Sequence, residues 1–305
     1  MKPEILFLVG PTAVGKSEIA AKLAQKLRAE IISCDSMQIY RGMEIITSYP
    51  APALRKKVKH HLLGMVSPLA EFDVSRYRRE ALRKIKAIIK KGKIPLFVGG
   101  TGLYLSIVID GIFKARPADK KIRTRLYKQA EKFGNGHLHA RLKKVDPEAA
   151  AKIHPHDTRR LIRALEVFTA TGKPISLLQK QRRGLDKEYT FKIFCLNMPG
   201  QDLEQRIQRR IEKMFKQGLL SEVIRLVKLK LSRTAASAIG IKELKGYLEG
   251  AYDLEEAKRL LKRNTRLYAK RQLTWFRKDK RINWVNIEEK EKPGQIAMRI
   301  WKELY

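Results

Sequence analysis

The chain has 305 residues, 44% of them hydrophobic, so it can bury one large core or two modest ones, and wholesale disorder is excluded. Its 66 Lys and Arg outnumber 31 Asp and Glu, and the formal charge of +35 favours a polyanionic partner, most simply nucleic acid. A generally basic proteome or a membrane-surface protein is the alternative explanation of this charge. The two cysteines, Cys34 and Cys195, exclude a disulfide scaffold and a four-cysteine zinc site.

The first hundred residues alternate between short apolar runs and amphipathic helical patterns. Strands are predicted over residues 5–9, 31–34 and 94–98, and helices over residues 17–28 and 77–91. Strand, helix and strand in this order are typical of a parallel sheet with crossover helices. No stretch approaches the ~18 apolar residues of a membrane span, and the N-terminus lacks the features of a signal peptide, so we expect a cytoplasmic protein without a membrane partner.

The middle of the chain is predicted to be helical. Residues 114–188 carry few strand signals and several helical stretches punctuated by Gly and Pro, which indicates an insertion. Beyond it, strands are predicted over residues 192–196 and 282–287, and helices over residues 203–215, 219–231, 295–304 and from Asp253 to about residue 277. The predicted organisation is a first core segment (1–113), a helical insertion (114–188) and a core completion with basic C-terminal helices (189–305).

A complete phosphate-loop motif, G-x-x-x-x-G-K-[ST], lies between the first predicted strand and the first predicted helix. Its residues are Gly10, Pro11, Thr12, Ala13, Val14, Gly15, Lys16 and Ser17. Backbone N–H groups of such a loop face an anion, Lys16 places an ammonium on the terminal phosphates, and Ser17 offers a hydroxyl to Mg²⁺. The motif predicts a P-loop NTPase-like α/β core that binds a di- or triphosphate, whether ATP or a pyrophosphate ester.

Two further polar residues follow predicted strands. Asp35 comes directly after the second strand, and Thr101 lies among three glycines after the third. Ligands of open parallel sheets bind beyond the carboxyl ends of the strands, so both residues are expected near the phosphate loop. A carboxylate there could accept a proton or ligate Mg²⁺, and the hydroxyl could donate a hydrogen bond. There are two alternative explanations. Asp35 could only cap a turn, and the glycines around Thr101 could only form an ordinary tight connection into a helix.

Several segments together resemble the tRNA dimethylallyltransferase family. They are GPTAVGKS (10–17), DSMQIYRGMEI (35–45), HHLL (60–63), VGGTGLY (98–104), HPHDTRRLIRALEVFTATGKPIS (154–176), LEQRIQRRIEKMFKQGLLSEV (203–223), AIGIKEL (238–244) and TRLYAKRQLTWFR (265–277). They run in the family's order and cover nearly the whole chain, and the combination of the second, fourth and last segments is specific. One departure follows GMEI, where Ile46, Thr47, Ser48 and Tyr49 replace the family's usual glycine-threonine-alanine-lysine.

The resemblance implies transfer of a dimethylallyl group from dimethylallyl diphosphate to the N6 amine of adenosine 37, beside the anticodon of tRNA, with release of diphosphate. It implies that the phosphate loop and Mg²⁺ on Ser17 hold the diphosphate, together with Arg206 and Arg210. It also implies that Asp35 is the general base and that Thr101 positions the reacting groups.

The resemblance further implies that a monomer binds the tRNA anticodon stem-loop. Residues 114–183 and 203–281 each carry a net charge of +13, against +1 for residues 1–50, which fits a polyanion-binding surface in these segments. The implied tRNA-binding residues are Asp35, Ser36, Met37, Gln38, Thr101, Arg123, Arg159, Arg160, Leu161, Ile162, Arg163 and Arg271. Trp275 and Phe276 are expected to lie in the core instead of on RNA.

Three other functions share part of this sequence pattern. An adenylate isopentenyltransferase acting on AMP or ADP would use the same phosphate loop, Asp35 and Thr101, but would not need the two highly basic segments. A P-loop kinase predicts ATP binding and phosphoryl transfer. A nucleic-acid-binding module with a relic loop predicts that replacement of Asp35 changes nothing.

Overall fold

The computed structural model describes residues 2–113 and 119–305, which fall into two compact units. The first unit, termed here the core unit, combines the chain up to Val108 with residues 186–305, and the second, the insertion unit, comprises residues 109–185. The predicted start of the insertion, at residue 114, lies outside the described residues. The insertion unit ends three residues before the predicted boundary at 188.

A six-stranded sheet lies in the core unit. Its strands are β1 (Glu4–Val9), β2 (Ala29–Ser33), β3 (His60–His61), β4 (Ile94–Gly99), β5 (Thr190–Asn197) and β6 (Ile282–Asn286). Their order is β3-β2-β4-β1-β5-β6, and every neighbouring pair is parallel. The α/β fold with a parallel sheet is therefore confirmed.

Thirteen α-helices occur within the described residues. They are α1 (Lys16–Leu27), α2 (Pro52–Lys57), α3 (Val74–Ile89), α4 (Gly102–Ile109), α5 (Lys120–Val145), α6 (Pro147–Lys152), α7 (Thr158–Thr171), α8 (Ile175–Lys180), α9 (Gly200–Lys216), α10 (Leu219–Val227), α11 (Ile241–Leu248), α12 (Leu254–Phe276) and α13 (Pro293–Lys302). The predicted helices of the core are confirmed within a few residues at their ends. Helices α2 and α11 and strand β3 were not predicted, because segments of two to eight residues are too short to show a period.

The centre of the sheet is apolar on both sides, as expected of parallel strands covered by helices. All residues of β1 from Ile5 to Val9 are buried, and the rings of Phe7 and Phe97 stack at 4.7 Å between centroids across β1 and β4. Helix α1 contacts β1, β2, β4 and α13, and α3 contacts β2 and β4. The helices thus hold β1, β2 and β4 in a fixed register, which decides where their carboxyl ends meet.

The insertion unit has a core of its own. Leucine, isoleucine, valine and alanine side chains of α5 to α8 form one buried cluster. Buried Asp146 joins two of these helices, because its carboxylate accepts hydrogen bonds from the backbone of Ala149 in α6 (3.0 Å) and of Ser176 in α8 (3.0 Å). Helix α5 bends at Gly134, whose φ of +77° interrupts the helical backbone. Over the described residues of both units, no helix is long and apolar enough to cross a membrane.

Gly99, at the end of β4, is expected to be required for stability. A Cβ atom added there would lie 2.1 Å from the backbone oxygen of Cys34, so alanine would force β2 and β4 apart. Overpacking of this kind costs about 1–3 kcal/mol. We expect Gly99→Ala to lower the melting temperature by roughly 3–10 °C in a thermal melt.

The matched control is Gly200→Ala in the first turn of α9. No atom lies within 4 Å of a Cβ added at Gly200, and alanine favours a helix more than glycine does. Its melting temperature should stay equal to that of the wild type or rise slightly. Equal melting temperatures for both variants would contradict the close packing at Gly99.

Candidate active site

The phosphate loop connects β1 to the first turn of α1. Gly15 precedes the helix with a φ of +98°, a left-handed conformation that glycine adopts without steric cost. The Lys16 ammonium donates hydrogen bonds to the backbone oxygens of Gly10 (2.9 Å) and Pro11 (2.6 Å). These bonds fold the lysine back along its own loop and hold the loop closed at the N-terminus of α1, where an anion is favoured.

The electrostatic environment of Lys16 is unusual for a lysine. Burial and the nearby positive charge of Arg210 lower its pKa to about 8. The lowered pKa reflects two cationic groups close together in a partly desolvated place, and this arrangement favours a ligand with several negative charges. A bound diphosphate would restore the ordinary protonation of Lys16.

Two arginines of α9 reach the phosphate loop. Arg210 donates to the Thr12 hydroxyl (2.8 Å) through Nη1 and to the Ser48 hydroxyl (2.8 Å) through Nε. Arg206 donates to the backbone oxygen of Val14 (3.2 Å). The two residues are four apart on one helix face, so the structure brings both predicted diphosphate ligands to the loop.

Asp35 and Thr101 meet at the carboxyl ends of β2 and β4. Asp35 Oδ1 accepts a hydrogen bond from the backbone of Met37 (2.8 Å), so this carboxylate does cap a turn. Among the residues that the structure describes, the second oxygen, Oδ2, accepts no hydrogen bond. The Thr101 hydroxyl accepts from the backbone of Ser36 (3.0 Å), and the Thr101 backbone donates to the oxygen of Cys34 (3.1 Å). These bonds fix the turn while leaving one carboxylate oxygen available.

A cavity of about 750 Å³ in the core unit joins the phosphate loop, Arg206, Arg210 and Asp35, whereas Thr101 is not among the residues that line it. Its polar lining includes Thr12, Lys16, Ser17, Asp35, Gln38, Arg206, Arg210 and Gln272. Its apolar lining includes Ala20, Ile31, Pro50, Pro52, Leu54 and Leu63. Cationic groups, the carboxylates of Glu18, Asp35 and Glu44, and apolar side chains therefore face the same space, as in pockets that bind a charged ligand with an apolar part.

The segment that departs from the family pattern contacts this site. The side-chain amide of Gln38 accepts from the Ser33 hydroxyl (3.1 Å) and donates to the backbone oxygen of Ser48 (3.1 Å). The Tyr49 hydroxyl shares its one hydrogen between the backbone oxygens of Gln38 (2.6 Å) and Tyr40 (2.8 Å). The Gln38 amide thus stabilises this loop by hydrogen bonds. A contact between Gln38 and an adenine edge stays a prediction.

The oxygen donors beside the phosphate loop suit a magnesium ion carried by the diphosphate. Mg²⁺ is usually held by one or two protein oxygens together with substrate phosphates and water. Ser17 and Asp35 line the cavity and supply a hydroxyl and a carboxylate, which fits this donor set. No group of three or more His, Cys, Asp or Glu side chains that could hold a metal alone occurs in the described part of the chain.

The predicted tRNA-binding residues of the insertion unit have two environments. Arg159 and Arg160 are exposed on α7, and Arg160 pairs with Asp157 (3.3 Å), which also caps this helix. Arg123 (2.8 Å) and Arg163 (3.0 Å) both bind the buried carboxylate of Glu166.

Two of the predictions for α7 need correction. Leu161 and Ile162 are 0% and 1% exposed, and they pack in the core of the insertion unit. These side chains therefore face the interior of the helical cluster and are not exposed to a tRNA, and a contact of tRNA with the backbone of Leu161 and Ile162 stays a prediction. A DTRRLIRA segment at helical spacing alternates basic and apolar residues, and the apolar ones hold the helix in place.

Helix α12 places basic and aromatic residues near the glycine loop after β4. Arg271 is exposed, with its guanidinium 5.8 Å from the centre of the Tyr268 ring. Phe276 is fully buried, as expected, whereas Trp275 is 38% exposed. A Cβ atom at Gly102 would lie 2.1 Å from the Trp275 ring, so the expectation that Trp275 is a core residue was wrong; it covers the start of α4 from the surface.

Sequence reasoning missed three residues of the site. Gln272 lies between the two glycine-containing loops, and Ser48 and Tyr49 hold the loop beside Arg210. Gln272 lies inside the last segment that resembles the family, TRLYAKRQLTWFR. In this segment the basic and aromatic residues indicate RNA binding, and no pattern marks the glutamine. Ser48 and Tyr49 stand in the sequence only as departures from the family pattern, and no local pattern connects Ser48 to Arg210, 162 positions away.

A parallel sheet with a phosphate loop after its first strand defines a P-loop NTPase-like α/β protein. Comparison with known proteins is more specific. A family model described as IPP transferase matches residues 38–279, and one described as isopentenyl transferase matches residues 3–64. The chain is 47% identical to the tRNA dimethylallyltransferase of Moorella thermoacetica over 294 residues, which cover 94% of this chain and 91% of the relative.

Another curated relative and two solved structures lead to the same family. The chain is 43% identical over 301 residues to the tRNA dimethylallyltransferase of Thermotoga maritima, covering 98% of this chain and 97% of the relative. The full-length tRNA isopentenylpyrophosphate transferase of Bacillus halodurans has a TM-score of 0.73 at 38% identity, with 99% and 96% of the two chains covered. A eukaryotic dimethylallyltransferase acting on tRNA has a TM-score of 0.78 at 29% identity, with 93% and 74% covered. The chain therefore belongs to the IPP transferase family.

The lowered pKa of Lys16 predicts that diphosphate binding weakens as the pH rises above about 8. Below this pH the lysine is charged before the ligand arrives, whereas above it binding must take up a proton. We expect the dissociation constant for dimethylallyl diphosphate to rise by up to about tenfold per pH unit between pH 8 and 9.5, measured by calorimetry with Mg²⁺ present. Lys16→Arg keeps its charge over this range and should bind with little pH dependence, and a flat wild-type profile would contradict the prediction.

Proposed function

We propose that the protein transfers a dimethylallyl group from dimethylallyl diphosphate to the N6 amine of adenosine 37 in tRNA, next to the anticodon. The observation that carries this proposal is the single cavity that joins a phosphate loop and two arginines to a carboxylate with a free oxygen. Membership of the IPP transferase family, whose relatives are named tRNA dimethylallyltransferase, supports the transfer of a dimethylallyl group to tRNA.

The cationic side of the cavity binds and stabilises the diphosphate. The phosphate loop surrounds it, and Lys16, Arg206 and Arg210 supply the positive charge that offsets the charge developing as the bond between the prenyl carbon and the oxygen breaks. When bound, Mg²⁺ supplies Lewis-acid stabilisation of the diphosphate, with Ser17 as its protein ligand. The apolar lining of the cavity suits the prenyl chain.

Asp35 accepts a proton from the adenine amine. This amine is a weak nucleophile because its lone pair is delocalised into the ring, so a proton must leave as the bond between nitrogen and the prenyl carbon forms. Oδ1 holds the turn through Met37, which leaves Oδ2 to take the proton. Thr101, joined to the same turn through Ser36, positions the reacting groups.

The acceptor is an anticodon stem-loop bound by the basic surface. Adenosine 37 is in a single-stranded loop, so extruding it into the cavity costs only a few kcal/mol. The exposed arginines Arg159, Arg160 and Arg271 contact the RNA backbone, whereas Arg123 and Arg163 also organise α7 through Glu166. The protein acts in the cytoplasm as a monomer.

A direct assay tests the proposal. The protein is incubated with Mg²⁺, labelled dimethylallyl diphosphate and one of two acceptors, unmodified tRNA or AMP. We expect label in the tRNA and none in a tRNA whose adenosine 37 is replaced. Label in AMP alone would assign the protein to the adenylate isopentenyltransferases, and label in neither acceptor would direct attention to ATP turnover.

Replacement of Asp35 separates catalysis from binding. Asp35→Asn keeps the side-chain oxygen that accepts from the Met37 backbone, so the turn and tRNA binding should be preserved. The amide cannot accept the proton, and we expect turnover to fall by about 10²-fold or more in single-turnover assays. The tRNA dissociation constant, measured by filter binding, should change less than threefold.

The matched control is Asp73→Asn at the N-terminus of α3. Asp73 is exposed and caps its helix through Arg76, a bond that asparagine also makes. This variant should retain wild-type turnover. Full activity of Asp35→Asn would remove Asp35 as the base.

A further inference from the structure

A buried glutamine connects the two loops that carry the reacting groups. Gln272, on α12, is 5% exposed. Its Oε1 accepts a hydrogen bond from the backbone N–H of Thr12 (2.8 Å), in the phosphate loop. Its Nε2 donates to the backbone oxygen of Gly100 (2.9 Å), in the glycine loop that precedes Thr101. One side chain therefore fixes the separation of two loops that are about 90 residues apart in sequence.

The packing around this amide is close. A Cβ atom at Gly100 would lie 2.0 Å from Nε2, so a glycine at that position lets the loop approach the glutamine. Tyr268, one helical turn before Gln272, belongs to the same region. Burial raises the pKa of the Tyr268 hydroxyl, which lies beside Thr101 and within the field of the Asp35 carboxylate. Helix α12 therefore contacts both loops through adjacent turns.

Each loop controls a different part of the reaction. The phosphate loop holds the leaving diphosphate, and the loop after β4 holds Thr101 and, through Ser36, the Asp35 turn. Reacting atoms must approach within about 3–3.5 Å in the correct direction, and errors of about 1 Å can cost 10²-fold in rate. A constant distance between the two loops is therefore a condition for transfer.

We propose that Gln272 is a positioning residue that holds the phosphate loop and the Thr101 loop at the separation required for prenyl transfer. This inference rests on the proposed function. The amide is suited to the role because it supplies one acceptor and one donor in the same plane, which match one backbone N–H and one backbone carbonyl. An apolar side chain of equal size would fill the space and leave both backbone groups unpaired.

The first test is Gln272→Glu, which changes only one atom of the amide. Ionised, the carboxylate still accepts from Thr12 but repels the Gly100 oxygen. Protonated, the carboxylic acid accepts from one loop and donates to the other, as the amide does, and its buried position favours protonation. We expect the ratio of variant to wild-type kcat to be about 0.1 or lower at pH 8.5 and to rise at least threefold at pH 6.

Taking the ratio at each pH removes the pH dependence that both proteins share, including the titration of Lys16 in the same cavity. The charge-matched control is Gln208→Glu, at an exposed position of α9 outside the cavity lining. For Gln208→Glu, the ratio of variant to wild-type kcat should stay near 1 at both pH 6 and pH 8.5. A Gln272→Glu ratio that stays constant between pH 6 and 8.5 would overturn the inference, because the protonated acid can make both of the hydrogen bonds that the amide makes and should therefore recover kcat.

A second variant keeps the inference testable if the glutamate destabilises the fold. Gln272→Met retains side-chain volume and removes both hydrogen bonds at every pH. We expect its kcat to fall about tenfold at both pH values, with the KM for dimethylallyl diphosphate changed less than threefold. The small KM effect is expected because Lys16 and Arg210 still shape the phosphate loop.

The outcomes separate this inference from the proposed function. Wild-type protein that transfers no label to tRNA would overturn both. Active wild-type protein with Gln272→Met at wild-type kcat would overturn the positioning role alone. Loss of diphosphate binding in Gln272→Met, measured by calorimetry, would also overturn it, because the residue would then maintain the phosphate loop instead of the distance between the loops.

Discussion

The register between β1, β2 and β4 is the constraint on which the site depends. Val9 pairs with Gly99, and Ser33 pairs with Val98, so three strands end at the same level of the sheet. Backbone bonds continue this pairing past the strands, from Cys34 to the oxygen of Val98 and from Thr101 to the oxygen of Cys34. Because parallel strands place their carboxyl ends on one edge, the phosphate loop, Asp35 and Thr101 meet without any direct sequence relation.

Side chains from later parts of the chain connect the loops at this edge of the sheet by hydrogen bonds. Arg210 joins the phosphate loop to the loop at Ser48, and Gln272 joins it to the loop at Gly100. Glu222 of α10 is buried and accepts from the backbone of Ile45 and Ile46, which fixes the same segment from another side. This edge of the sheet is thus formed by the first hundred residues, and side chains of the last hundred connect its loops by hydrogen bonds.

Positively charged side chains occur in two different environments. In the cavity, a few cations are partly buried and hydrogen-bonded, and this burial lowers the pKa of both Lys16 and Arg210. Elsewhere in the chain, exposed Arg160 pairs with Asp157, and exposed Arg271 lies over the ring of Tyr268. Buried cations discriminate a compact anion at short range, whereas exposed ones provide the salt-dependent attraction that a long polyanion requires.

The sequence by itself determined the α/β class, the phosphate loop with Lys16 and Ser17, and the positions of Asp35 and Thr101 after their strands. These features depend on local periodicity and on motifs read within about ten residues. Only the tertiary structure decided that Leu161 and Ile162 are buried, that Gln38 holds its own loop, and that Gln272 bridges two loops. These properties arise from side chains meeting across about 10 to 260 residues or from which face of a helix is covered, and neither is encoded in a local pattern.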